Sequence, residues 1–202
     1  MTFDSIIRIL ARHHPTLLDL PAHTRAAVAL VLRPGAHGPE ALFIERAPRA
    51  GDPWSGDIGF PGGKVEAEDS GTRQTAERET REEIGLDLRG GRYLGRLSDM
   101  AGAHLPVLVS CHVYGVEELP MFVLSHEVRD IFWVSLADLN APEHRIIAPV
   151  RFGGEMLDRP AIRFPQPGKP VLWGITYRIV MEFLELFRDE IAVDCRGSMT
   201  VS

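Results

Sequence analysis

Residues 61–86, PGGKVEAEDSGTRQTAERETREEIGL, divide into a glycine turn, a loop, a helix and a glycine stop. Gly85 stands where a left-handed C-terminal cap is wanted, apolar Leu86 follows it, and Asp69 or Ser70 is placed to cap the N-terminus. In such a helix Glu79, Glu82 and Glu83 share one face at i, i+3 and i+4. Each like-charged pair costs roughly 0.2–0.5 kcal/mol, which pairing of Arg78 with Glu82 and of Glu77 with Arg81 offsets only in part. A hard divalent cation, Mg²⁺ or Mn²⁺, removes that penalty, since it takes oxygen ligands from a rigid face beside waters and substrate phosphates. The Pro61-Gly62-Gly63 turn presents bare backbone, so its amides and carbonyls can approach a metal or a phosphate closely. Taken alone, E-x-x-E-E also fits a solvated helix face.

The order of residues around the carboxylates resembles the Nudix box, G-x5-E-x7-R-E-U-x-E-E-x-G-U with U a bulky aliphatic residue. Arg78, Glu79, Glu82, Glu83, Gly85 and Leu86 fall on it in register, with Gly63 as the opening glycine. Thr80 replaces the aliphatic residue. Asp69 stands for the first glutamate, with eight residues rather than seven before Arg78, which lengthens the loop or the first helical turn. The resemblance implies an α/β fold, the Nudix α/β/α sandwich with a mixed central β-sheet, carrying added N- and C-terminal helices.

At 202 residues the chain reads as a single Nudix domain, 1–202, large enough to bury a core without staples. A net charge of −6 argues against a nucleic-acid surface and for a small anionic ligand met by a local basic patch. Cys111 and Cys195 are the only cysteines, which fits buried thiols and a reducing cytoplasm rather than a disulfide framework. No apolar run approaches the 18 residues of a membrane span, and Met1 to Leu20 lacks a signal-peptide pattern. The expected partner is therefore a small-molecule substrate, with neither nucleic acid nor membrane; nothing in the sequence speaks to oligomeric state.

Outward from the box, residues 3–12 space Phe3, Ile6, Ile7 and Leu10 as an amphipathic helix. Residues 25–33 and the ALFIER run predict a central hairpin. Residues 46–60 are too rich in Gly, Pro and Asp for a regular element, yet carry Arg46, Arg49 and Trp54; they read either as a connection or as a pocket-lining loop. RYLGRL and LPVLVSCHVYGV predict strands with a turn near Met100 to His104. Ile131 to Val134 predicts a strand entering a helix capped by Ser135, with Glu127 on the approach as a solvated carboxylate, a general base or an extra metal ligand. Pro149 to Phe164 predicts a further hairpin, residues 173–187 a buried helix, and the tail from Asp189 no regular element.

The pre-box segment sharpens the resemblance toward Nudix proteins active on coenzyme A, which carry L-L-T-x-R-[SA]-x3-R-x3-G-x3-F-P-G-G. Leu42, Arg46, Ala47, Gly56 and Phe60-Pro61-Gly62-Gly63 match its two ends, while Arg49 sits earlier than the second arginine. What this implies is metal-assisted cleavage of a pyrophosphate, releasing 3′,5′-ADP and 4′-phosphopantetheine from coenzyme A. Glu79 and Glu83 would be metal ligands, Glu82 a ligand or the base, and Gly63 a carbonyl ligand. Arg78 would orient a glutamate, Arg46, Arg49 and Gly62 would meet phosphate, and Trp54 or Phe60 would stack on adenine or lie in the core. ADP-ribose or NADH as substrate, and a binding module without catalysis, are the alternatives.

Overall fold

The computed structural model describes residues 2–36, 38–51 and 54–188; the expected loose tail and Cys195 lie outside them. The order is α1 (Phe3–Leu10), β1 (Thr24–Gly35), β2 (Gly38–Arg46), β3 (Ile58–Gly59), β4 (Gly62–Lys64), α2 (Thr72–Ile84), β5 (Arg92–Arg96), β6 (Met100–Ala101), β7 (Val107–Gly115), β8 (Val128–Ser135), α3 (Leu136–Asn140), β9 (Arg145–Phe152), β10 (Glu155–Ile162) and α4 (Gly174–Leu186).

The main sheet runs β3-β2-β1-β7-β5, with β8 on β2, β4 on β1 and β6 on β7. It is mixed, because β1 and β7 run parallel while β1 and β2 form the antiparallel hairpin. Alternation along β1 sends side chains to two cores. Leu30 and Leu32 face Ile6 and Leu10 of α1 and Ile179, Val180 and Phe183 of α4. Ala27, Ala29 and Val31 face Ala76 and Ile84 of α2. Alanines on both elements let α2 lie close to the sheet, and that closeness sets the depth of its carboxylates. Its first turn is pinned by polar contacts: buried His112 lies 3.0 Å from the Thr72 hydroxyl and 3.2 Å from that of Tyr93, and burial pushes its pKa down to about 4. Cys111 is fully buried, as expected of a structural thiol.

Several boundaries differ from the sequence reading. Met100 and Ala101 are not a turn but β6, paired with Val109 and Leu108. Strand β8 is longer than Ile131 to Val134, because it pairs with all of β2 from Glu40 to Arg46. The late hairpin starts at Arg145 and forms its own two-stranded sheet. Neither Asp69 nor Ser70 caps α2: its N-cap is Gly71 without a side-chain bond, since the Asp69 carboxylate is taken by Thr75 and Arg78. Ser135 caps α3 as expected, its hydroxyl accepting from the Asp138 N–H. Among the described residues, no helix is long and apolar enough to cross a membrane.

Candidate active site

The glycine turn and α2 meet where β4 pairs with β1. Gly62 and Gly63 lie opposite Val28 and Ala27, and neither position has room for a side chain. A Cβ on Gly62 would stand 2.3 Å from the Ala27 carbonyl oxygen, and one on Gly63 would stand 2.3 Å from Glu79 Oε1. The first clash is with strand backbone, the second with the end of a flexible side chain. Gly62→Ala is therefore expected to lower the melting temperature by about 3–10 °C, the effect of about 1–3 kcal/mol of overpacking, and by more than Gly63→Ala. Thermal melts of the two variants check this order.

The three glutamates share a helix face but not an environment. Glu83 is buried, and its Oε2 accepts the Gly62 N–H at 2.9 Å. Its Oε1 lies 4.0 Å from Arg46 Nη1. Burial pushes its pKa up to about 7; the Gly62 N–H and Arg46 pull it down, and the charges of Glu79 and Glu127 push it up further. Glu79 is largely covered, accepts from Arg78 Nη1 at 2.9 Å, and is also raised, chiefly by burial. Glu82 points outward, with 52% of its side chain exposed, and accepts from the same Nη1 at 3.1 Å.

Arg78 is the organising cation. Its Nε and Nη2 fork onto Asp69 at 3.1 and 3.0 Å, and Nη2 also donates to the Lys64 carbonyl at 3.1 Å. The fork holds the Asp69 carboxyl well below the usual carboxylate range. Asp69 further accepts the Glu66 N–H at 3.0 Å and the Thr75 hydroxyl at 2.8 Å, closing the loop before α2. The extra residue ahead of Arg78 thus lies in a loop tied to that arginine. Gly85 ends the helix with φ 74°, and the Val123 and Ser125 N–H groups donate to the Ile84 and Glu83 carbonyls at 3.1 and 2.8 Å.

Opposite this face, Arg46, Ala47, Pro48, Arg49, His126 and Glu127 line a pocket of about 330 Å³. Arg49 and Glu127, expected in separate roles, pair with each other at 3.2 Å. Arg46 ends β2 at a register shift against β8; strand alternation puts it on the α2 side with Leu42 and Ile44, while the preceding Glu45 is buried on the other and held by Lys169 at 2.8 Å. Of the two readings of Phe60 the structure has the core one: it is buried and stacks on Phe43 with ring centroids 5.0 Å apart. One expectation is corrected: the Gly62 amide is committed to Glu83 rather than to an outside phosphate. Trp54 is half-buried against the core. His126 on the pocket rim was not singled out by any pattern; only its place beside Glu127 marks it.

Among the described residues, no three His, Cys, Asp or Glu side chains converge into a ready-made metal shell, because Arg78 draws Glu79 and Glu82 toward itself. The donor chemistry nevertheless fits a hard divalent cation. All the candidate donors are oxygens, and burial has raised the pKa of two of the carboxyls, a cost that a neighbouring cation relieves.

A mixed sheet between helical layers, with a carboxylate-bearing helix following a glycine turn, is the architecture of the Nudix fold. The chain belongs to the Nudix family, whose NUDIX domain model matches residues 22–150. It is 29% identical over 191 residues to a probable Nudix hydrolase of Schizosaccharomyces pombe, covering 91% of this chain and 65% of that one. It is 30% identical over 183 residues to a mitochondrial coenzyme A diphosphatase of Homo sapiens, covering 87% of this chain and 73% of that one. The solved MutT/nudix family protein from Enterococcus faecalis superposes with a TM-score of 0.54 at 16% identity, over 94% of this chain and 70% of that one, which is a likeness of fold. The chain spans only 49% and 65% of the lengths of two fission-yeast relatives.

Proposed function

We propose that the protein, as a single domain, is a Nudix pyrophosphohydrolase that cleaves coenzyme A or its derivatives into 3′,5′-ADP and 4′-phosphopantetheine with the help of Mg²⁺ or Mn²⁺. The observation that carries this reading is the placement of Arg46 between the buried Glu83 and the pocket of Arg49 and Glu127. Likeness to a relative named as a coenzyme A diphosphatase supports the choice of substrate. The cation would be held by Glu79, Glu83, Glu82 and the Gly63 carbonyl, and when bound it supplies Lewis-acid neutralisation of the diphosphate oxygens. Arg46 and Arg49 bind phosphate through their planar forks. The Gly62 N–H fixes the Glu83 carboxylate in one orientation, while Arg78 holds Glu79 and Glu82 in place. Glu82 and Glu127, both reached by solvent, are the groups in this reading that accept the proton of the attacking water. A cytoplasmic setting belongs to the same proposal; cell fractionation tests it against the mitochondrial location in the name of the human relative.

The test is turnover of the purified protein with Mg²⁺ and with Mn²⁺ on coenzyme A, ADP-ribose and NADH in parallel. The expected result is 3′,5′-ADP as a product and the highest kcat/KM on coenzyme A; cleavage of ADP-ribose with coenzyme A untouched overturns the substrate. Arg46→Ala is expected to raise KM for coenzyme A about tenfold or more, the size of a lost charged hydrogen bond, with kcat changed far less. An unchanged KM moves the phosphate site elsewhere.

A further inference from the structure

The pocket beside Arg46 is built from two loops that backbone contacts hold together. The Ala47 N–H donates to the Glu127 carbonyl at 2.8 Å, and Arg46 lies opposite Val128 in the sheet. The Arg49 N–H donates to the Ser55 hydroxyl at 2.8 Å, fixing the loop that carries the guanidinium. Inside this frame one carboxylate oxygen pairs with a guanidinium and lies near an imidazole. Glu127 Oε1 lies 3.2 Å from Arg49 Nη1 and 3.9 Å from His126 Nε2. A carboxylate and a phosphate offer a guanidinium similar acceptor geometry, and a phosphomonoester brings the larger charge.

Resting on the coenzyme A reading, we propose that this pocket is a phosphomonoester subsite that Glu127 fills in the free protein as an internal substitute for the substrate's terminal phosphate. When the dianionic group enters, Arg49 exchanges Glu127 for it and His126 faces the same group from the rim. The exchange is also a filter. A singly charged phosphodiester is a weaker competitor for Arg49 than a dianion, so nucleotides without a terminal phosphate leave the Arg49–Glu127 pair closed. Arg49 and Glu127 thereby determine specificity, in addition to any part they take in the reaction.

The consequence is unusual for a residue in a binding pocket: removing its charge strengthens binding. The experiment is calorimetric titration of the full chain in EDTA, where no cation supports turnover, with coenzyme A and with dephospho-coenzyme A, which lacks the 3′-phosphate. Exposed ion pairs of this kind are weak, so Glu127→Gln is expected to tighten coenzyme A binding about twofold to fivefold and to leave dephospho-coenzyme A unchanged. Arg49→Gln is expected to erase the preference for coenzyme A, and Glu127→Gln added to it is expected to bring no gain. A gain that persists without Arg49 is general charge removal and overturns the proposal. If coenzyme A binds and Glu127→Gln leaves its affinity unchanged or weaker, the substrate reading stands and the subsite falls. If neither nucleotide binds without the cation, the turnover test decides the substrate reading, and inorganic phosphate decides the subsite: tighter binding by Glu127→Gln supports it, while unchanged or absent binding overturns it.

Discussion

Glu83→Gln is expected to lower kcat by orders of magnitude and, without divalent cation, to make the protein more stable at pH 8. The carboxyl group has a pKa of about 7 in the folded state against 4.5 without the fold. The native state therefore binds the proton more tightly, so this group's contribution is fully favourable below about pH 4.5 and is lost as pH rises through 7. At 1.36 kcal/mol per pH unit the loss reaches roughly 3 kcal/mol. Glutamine keeps an acceptor for the Gly62 N–H and never ionises. In EDTA at pH 8 the variant should melt about 5–10 °C above the parent, and the two curves should draw to within a few degrees near pH 5. The two results together would mark Glu83 as a functional group held at a cost in stability. A variant that melts below the parent and turns over normally would make Glu83 structural.

Arg78→Ala should give the largest loss of stability. It leaves Asp69, whose side chain is 1% exposed, without its fork, and leaves Glu79 and Glu82 without the cation between them. The cost is expected at roughly 3 kcal/mol, the low end for a broken buried ion pair, since Asp69 lies on a loop near the surface. The sign with pH is opposite to that of Glu83. The pairing depresses the Asp69 pKa below 3.8, so its stabilisation is present above that value and fades as pH falls through the lower folded one. Urea unfolding at pH 7 and again below pH 4 should show the deficit narrowing in acid. Arg78→Lys is expected to recover only part of it, because a single ammonium cannot make the two-pronged contact. An Arg78→Ala variant with the parent's midpoint and turnover would remove this arginine from the site.

Much of the architecture could be read from short-range pattern. The helix face of Glu79, Glu82 and Glu83, the Gly85 stop, the β1–β2 hairpin and the Ser135 cap each follow from the periodicity or chemistry of a few neighbouring residues. Patterns of this kind erred where a residue's partner was distant. Asp69 suits a helix cap by position, but its carboxylate meets a guanidinium nine residues on, and that charged fork replaces the bond to the N–H groups of the first helical turn. Phe60 was read as either a stacking residue or a core one; packing on Phe43 puts it in the core. Met100 and Ala101 carry no strand signal of their own and extend because β7 offers them an edge.

By itself, then, the sequence determined which residues could do the chemistry: three carboxylates on one helix, a bare glycine turn ahead of it and arginines on the preceding loop. Only the tertiary structure decided how they differ. Glu83 is buried and Glu82 exposed because Ala27 and Ala29 of β1 admit Ala76 of α2 close to the sheet, and burial, not identity, moves a carboxyl pKa. Arg49 and Glu127, 78 residues apart, face each other because β2 and β8 pair along their length. Charge partners are chosen by distance in space, and the chain acquires those distances only when its strands are in register.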